Sequence, residues 1–252
     1  MKLIMRSGIQ IKNLCFSYAP DVPVLKNVNL DINPGERFGL IGPSGAGKST
    51  LLLHLNGILT GTGEIKIGET LVEKNSLAKI RKKVGMVFQN PDDQLFNPTV
   101  EEDIAFGPLN FGYSREVVAD RVKDALIAMN LAGFEKSVSH HLSIGERKRV
   151  ALATVLAISP EVIAFDEPFS SLDPSMVLQL INLIGKLDAT IIIVSQSFLP
   201  LISCCDRLAV LKEGEIIAVG PKDEILGDDD MMRASGMDLS LYRNICREYF
   251  SE

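Results

Sequence analysis

An α/β fold with a mostly parallel core sheet is what this sequence predicts, and three observations carry it. Short, continuously apolar runs such as Val162-Ile163-Ala164-Phe165 and Ile191-Ile192-Ile193-Val194 have the length of strands buried on both faces. Helical patterns separate those runs, the order expected of a parallel sheet with crossover helices. A glycine-rich loop also joins an apolar strand to a helix near the start of the chain.

In chain order, Ile9 to Leu14 and Val28 to Ile32 alternate as half-buried strands do, and Asn33-Pro34-Gly35 is a turn. Arg37 to Ile41 is a strand that runs into the glycine-rich loop, and Lys48 to Leu55 is the helix after it. Glu64 to Ile67 and Val84 to Phe88 are short strand candidates. From about Val100 to Ala157 the pattern becomes helical. Val118, Val122, Ala125, Leu126 and Met129 share one face of a helix over Arg115 to Met129, and Arg147 to Ile158 is helical too. Strand Val162 to Phe165, helix Pro174 to Lys186 and strand Thr190 to Val194 then resume the alternation. Leu208 to Leu211 and Glu215 to Val219 flank the turn Lys212-Glu213-Gly214. The main domain is therefore expected over residues 1–220, with a helical lobe inserted at about 97–157. Residues 221–252 are expected to form a short helical appendage, in which Leu239 to Phe250 has the spacing of a dimer-supporting helix.

Composition narrows the function classes. A chain of 252 residues, 46% hydrophobic, can bury a full core. Its net charge of −6 gives no reason to expect a nucleic-acid partner. The basic clusters Lys79-Ile80-Arg81-Lys82-Lys83 and Arg147-Lys148-Arg149 read as solvated helix faces. No apolar run approaches the ~20 residues needed to cross a bilayer, and the first six residues are no signal peptide, so any membrane role is expected to be peripheral. Cys15, Cys204, Cys205 and Cys246 lack metal spacing and read as small core thiols in a reducing compartment. His140 and His141 read as structural or surface residues, since further ligands are missing.

Gly42-Pro43-Ser44-Gly45-Ala46-Gly47-Lys48-Ser49 matches the phosphate loop Gly-x-x-x-x-Gly-Lys-Ser/Thr, with a strand before it and a helix after it. Its glycines let consecutive backbone N–H groups converge on one concavity. The helix that follows adds its positive end. Lys48 is expected to reach the β- and γ-phosphates of ATP, and the Ser49 hydroxyl to ligate Mg²⁺; Thr50 completes the nucleotide-binding set. Asp166 and Glu167 emerge at the carboxyl end of an apolar strand, where open α/β sheets bind their ligands. Asp166 is expected to hold Mg²⁺ through water. Glu167 is placed to polarise the attacking water as a general base.

These motifs resemble the nucleotide-binding subunit of ABC transporters over about Ile9 to Val219. The resemblance implies an ABC ATPase of the P-loop NTPase class, with an N-terminal antiparallel β subdomain beside the parallel core. Gln89 looks like the Q-loop glutamine, which senses the metal site and faces a membrane partner. Leu142-Ser143-Ile144-Gly145-Glu146 looks like the signature loop. The resemblance gives Ser143, Gly145 and Glu146 the γ-phosphate of ATP held by an opposite subunit. Ser171-Leu172-Asp173 looks like the D-loop, and Tyr18 sits where the family stacks an aromatic on adenine. ATP would thus join two head-to-tail protomers, either two copies or this chain with a sister subunit. The segments Val87 to Phe96 and Thr99 to Pro108 resemble the energising subunit of energy-coupling-factor importers, which include cobalt, nickel and vitamin uptake systems. That implies a transmembrane coupling protein, docked near the Q-loop and helical lobe, a substrate-binding membrane protein, and a peripheral position on the cytoplasmic face of the membrane.

Two positions depart from the pattern. Ile144 stands where the signature loop usually has glycine, and its branched side chain is expected to weaken dimer closure. Gln196 stands where the family usually has the switch histidine. It donates a hydrogen bond but carries no charge, so hydrolysis is expected to be slowed by roughly one to three orders of magnitude. An ATP-gated clamp that scarcely hydrolyses is the alternative these two residues favour; Lys48, Asp166 and Glu167 oppose it. A soluble ABC protein of DNA repair or translation would need paired cassettes or long insertions. A P-loop kinase would leave the signature-like loop unexplained.

Overall fold

A computed structural model describes residues 6–196, 198–237 and 239–240. In chain order, β1 (Ile9–Ala19), β2 (Val22–Ile32) and β3 (Arg37–Ile41) lead into α1 (Lys48–Leu55). Next come β4 (Thr62–Ile67), β5 (Thr70–Leu71), α2 (Leu77–Lys83) and β6 (Val84–Val87), followed by α3 (Val100–Asn110), α4 (Arg115–Ala128) and α5 (Ile144–Leu156). The last part of the described chain runs β7 (Val162–Asp166), α6 (Pro174–Ile184), β8 (Thr190–Val194), α7 (Phe198–Cys204), β9 (Arg207–Lys212), β10 (Glu215–Pro221), α8 (Lys222–Gly227) and α9 (Asp229–Ala234).

Two sheets form. One is antiparallel, in the order β2-β1-β4-β5; the other has the order β10-β9-β3-β8-β7-β6. In the second, every neighbouring pair is parallel except the edge hairpin of β9 and β10. The turn of that hairpin holds Glu213 at φ 48 and Gly214 at φ 86, a left-handed pair that follows from Lys212-Glu213-Gly214.

The central strands feed two hydrophobic clusters by alternation. Ile191, Ile193, Ile163 and Phe165 enter the cluster shared with the helical lobe. Ile192, Val194, Val162 and Ala164 enter the cluster shared with α1 and the antiparallel sheet. Period-two side chains on strands buried on both faces produce this division.

The lobe begins with a capping box at α3, where the Thr99 side chain accepts from the Glu102 amide and Glu102 accepts from the Thr99 amide. Val118, Val122, Ala125 and Leu126 are the buried face of α4, as their spacing predicts. Buried Asp103 accepts from the Phe96 and Asn97 amides at 3.0 and 2.9 Å and from the Ser139 hydroxyl at 2.8 Å, fixing the loop that follows Gln89.

Three expectations need revision. Helix α5 starts at Ile144, not Arg147, because Ser143 and Glu146 form a second capping box. The cluster Arg147-Lys148-Arg149 is therefore no solvated face: Lys148 is buried, and half-buried Arg147 pairs with Asp92 at 3.6 Å. Cys15 is an exposed thiol rather than a core one, since a bulge in β1 turns it outward; Cys204 and Cys205 are buried. Helix α7 had no signal of its own in the sequence; Pro200 sits in its first turn, where a missing N–H is tolerated. Cys246 and the stretch 241–250 lie outside the described residues.

Candidate nucleotide site

Three neighbouring parallel strands end together and build the site. Leu40 of β3 pairs with Val194 of β8, and Val194 pairs with Asp166 of β7. The residues that follow these therefore leave the sheet at one edge: the glycine-rich loop 42–47, Glu167, and Ser195 with Gln196. Val87 of β6 pairs with Phe165, so Gln89 departs from the same edge, where its side chain is exposed.

The loop passes into α1 through Gly47, at φ 104. A side chain is strained at that angle, and a Cβ there would also come within 3.0 Å of the Val24 carbonyl. The Lys48 ammonium folds over the loop and donates to the Gly42 and Pro43 carbonyls at 2.8 and 2.9 Å. Pro43, Ser44 and Gly45 form the outer arc of the loop and Ala46 its buried inner side. Ser49 Oγ donates to Asp166 Oδ1 at 2.9 Å.

Glu167 is held from two sides. Oε2 accepts from the Gln196 amide at 3.1 Å and the Ser195 hydroxyl at 3.3 Å, and its own amide donates to the Val194 carbonyl at 2.9 Å. Its φ is 47, a sparsely populated region for a residue with a Cβ, and such outliers cluster at functional sites. Oε1 is buried without a hydrogen-bond partner.

The electrostatics follow from burial. Desolvation pushes the carboxyls of Asp166 and Glu167 above the usual carboxylate range, against the Ser49 hydrogen bond in one case and the Gln196 amide in the other. Desolvation lowers the Lys48 amine, although both carboxylates pull it up. Two buried acids thus face Lys48, a cation that is already engaged with carbonyls. This arrangement fits a divalent cation. Ser49 and Asp166 offer the hard oxygen donors magnesium takes, with phosphates and water completing its shell. Among the described residues no cluster of three or more His, Cys, Asp or Glu suits an all-protein cage.

Tyr18 lies beside the loop: its hydroxyl is 3.3 Å from Thr50 Oγ1, its ring meets Phe16 edge-on at 4.8 Å, and it is 63% exposed. A flat aromatic face is therefore available next to the phosphate cradle.

The signature-like residues are not brought to this site. Ser143 caps α5 at its exposed end, accepting from the Glu146 amide at 3.3 Å. Its own hydroxyl and amide donate to the Glu146 carboxylate at 2.6 and 2.8 Å, and these bonds hold Glu146 below its ordinary value. None of these bonds reaches the phosphate loop of the same chain. Ile144 occupies the first helical position with ordinary helical backbone. Gly145 is where a side chain would not fit, since a Cβ would meet Met176 Sδ of α6 at 2.3 Å. Asp173 caps α6, accepting from the Ser175 and Met176 amides at 2.9 and 3.0 Å. His140 and His141 are exposed, as expected. Two contributors carry no motif of their own in the sequence. Ser195 simply follows an apolar strand. Lys148 would have stood out had the Ser143/Glu146 box been used to set the register of α5, which puts residues 145, 148 and 152 on one buried face.

A family model described as ABC transporter matches residues 25–170. The chain is similar to the energy-coupling factor transporter ATP-binding protein EcfA of Methanocaldococcus jannaschii, 46% identical over 237 residues that cover 92% of this chain and 85% of that protein. Among solved structures it is similar to cbiO1 from Clostridium perfringens, part of the ABC transporter complex cbiONQ (TM-score 0.79, 33% identity, 94% of this chain and 96% of that one). It is also similar to an ATP-binding cassette solved as a dimer in a post-hydrolysis state bound to ADP and Pi (TM-score 0.75, 29% identity, 84% and 98% covered).

Proposed function

This chain belongs to the ABC transporter family of ATP-binding proteins, and we propose that it energises an importer of the energy-coupling-factor type by ATP-driven closure of a dimer. The observation that carries this reading is the division of the machinery. The phosphate loop, Asp166 and Glu167 meet at one sheet edge, while Ser143 caps an exposed helix end whose side-chain bonds, among the described residues, go to Glu146 and not to that edge. A helix N-terminus with a free approach suits a phosphate, and a second subunit would supply one.

In this reading the loop amides and Lys48 bind the triphosphate, and Tyr18 stacks on the base. Mg²⁺, held by Ser49, Asp166 and Gln89, would neutralise charge on the β- and γ-phosphates. Glu167 accepts a proton from the attacking water at its Oε1, the oxygen left without a partner, while Ser195 and the Gln196 amide hold Oε2 in place. The raised proton affinity of Glu167 suits a base that must hold the proton it takes. The Gln196 side chain takes the place of the switch histidine.

The membrane partner would bind beside the Q-loop. Phe96 and Phe106 form an exposed edge-on pair there, 62% and 46% accessible, with Leu109 at 50%, and apolar surface of this kind marks protein contacts. No helix among the described residues is long and apolar enough to cross a membrane, which suits a peripheral subunit on the cytoplasmic face. The resemblance to energy-coupling-factor importers makes a transition-metal ion or a vitamin the cargo class we propose, selected by a membrane component.

The test is chromatographic. Glu167→Gln protein with ATP and magnesium should elute as a dimer and return to monomer when Lys48→Met is added. A chain that binds ATP at micromolar affinity yet stays monomeric, alone and with candidate sister subunits, defeats the proposal.

A further inference from the structure

Lys148 is an anomaly within its basic run. It is 8% exposed. Its ammonium donates to the Pro168 carbonyl at 2.8 Å, the Ser170 carbonyl at 2.6 Å and the Ser170 hydroxyl at 3.2 Å. Three donors meet three acceptors, so the group is fully engaged. Among the described residues no carboxylate lies within ion-pairing distance of it; Glu167 acts on it only through its field. Glu146, Arg147 and Arg149 share its helix, and Lys186 lines the same groove as Lys148 and Arg149. A cation buried among neutral oxygens is costly compared with an apolar side chain, so packing alone does not account for it.

The acceptors belong to the turn that carries Glu167. Ser170 donates to the Glu167 carbonyl twice, from its hydroxyl at 2.9 Å and its amide at 3.2 Å. This turn contains the strained φ of Glu167. Ser195 and the Gln196 amide fix the carboxylate side of the turn, and the ammonium fixes its far side. The other end of the link is α5, which presses on α6 at Gly145, one turn before Lys148.

We propose that Lys148 is a positioning residue for hydrolysis, locking the 168–170 turn, and through it the Glu167 carboxylate, to helix α5. This rests on the reading that Glu167 polarises the attacking water. If Ser143 meets the nucleotide of a second subunit, the same ammonium ties a chain's own hydrolytic site to the one it completes across the dimer.

The experiment compares steady-state ATPase and ATP affinity of the full chain for wild type, Lys148→Met, Lys148→Arg, Ser170→Ala and the Lys148→Met/Ser170→Ala double variant, with melting curves for each. Lys148→Met should lower kcat about 10- to 100-fold, the scale of a small misplacement of a reacting group, with ATP Kd within about 3-fold. Lys148→Arg keeps the charge and several N–H donors and should recover most of kcat. The double variant should be little worse than Lys148→Met, because both changes break one linkage. A folded Lys148→Met chain with wild-type kcat overturns the proposal. So does a loss of rate matched by an equal loss of affinity and not recovered by Arg. If Lys148→Met does not fold, Ser170→Ala decides, and wild-type kcat in that variant is fatal. A Glu167→Gln control separates the levels. If it hydrolyses ATP at the wild-type rate, the reading of Glu167 fails and takes this proposal with it. If it is inactive while Lys148→Met is fully active, only the positioning role fails.

Discussion

The Gln196 backbone amide donates to Glu167 Oε2 at 3.1 Å, so the contact that holds the candidate base does not depend on the side chain at position 196. Replacing that side chain should leave Glu167 in place and change only what the side chain itself offers a phosphate. Gln196→His is therefore expected to raise kcat at least about 10-fold, below the roughly 10²- to 10³-fold that a fully formed polar transition-state contact contributes, with ATP Kd within about 3-fold. Single-turnover hydrolysis of labelled ATP measures this. Equal rates in the two proteins would mean the glutamine is no handicap.

Burial pushes Glu167 upward, and the direction sets a stability prediction. Between its ordinary value and its raised one, the folded chain binds more protons than the unfolded chain, so stability falls as pH rises through that window. Glu167→Gln removes the charge. Its ATPase rate should fall about 10²- to 10³-fold, while its nucleotide-free form should resist urea better than wild type at pH 7. Denaturation midpoints of both proteins from pH 4.5 to 8 should diverge as pH increases; parallel curves would contradict the buried-charge argument.

Lys148 gives the opposite slope. Burial pushes its amine down to about 8 from 10.5. Between those values the unfolded chain carries the extra proton, so this residue makes stability rise with pH from about 8 to 10.5. Lys148→Met should flatten that part of the profile. Its net stability at pH 7 should change little, because relief of the buried charge is offset by carbonyls left unpaired, each costing about 1–3 kcal/mol. Melting temperatures across the alkaline range check both statements.

Gly145 is where α5 meets α6. The obstacle to a Cβ is the tip of a flexible methionine, so Gly145→Ala should cost about 1–2 kcal/mol, at the modest end for overpacking. Adding Met176→Ala should recover part of that cost. A calorimetric series of the single and double variants tests the pair; a Gly145→Ala protein as stable as wild type would show that the helices part freely.

Much of this was legible in the residues because it was local. Arg37–Ile41, Lys48–Leu55 and Thr190–Val194 form with the limits their apolar pattern and the glycine loop set. Helix α4 buries the face its 3.6-residue period marks. The site was legible where one strand end or one loop supplies it, as with Lys48, Ser49, Asp166 and Glu167. What escaped depends on partners distant in sequence. Nothing near Lys148 announces that Pro168 and Ser170 will receive its ammonium, and nothing near Cys15 announces the bulge that exposes it. The small residue expected at position 144 is needed one residue later, at Gly145, where Met176 of another helix takes the space of a side chain. The two-residue β5 is too short to show a period at all.

The alternation along β8 has a consequence for reading variants. Ile192 faces the phosphate-loop half of the molecule and Ile193 the lobe half. Truncating one residue and truncating its immediate neighbour would thus injure opposite halves, although both sit in a single strand and lose similar contacts. Sequence proximity is a poor guide to shared phenotype here; parity of position is the better one, and along β8 odd numbers report to the lobe and even numbers to the nucleotide side.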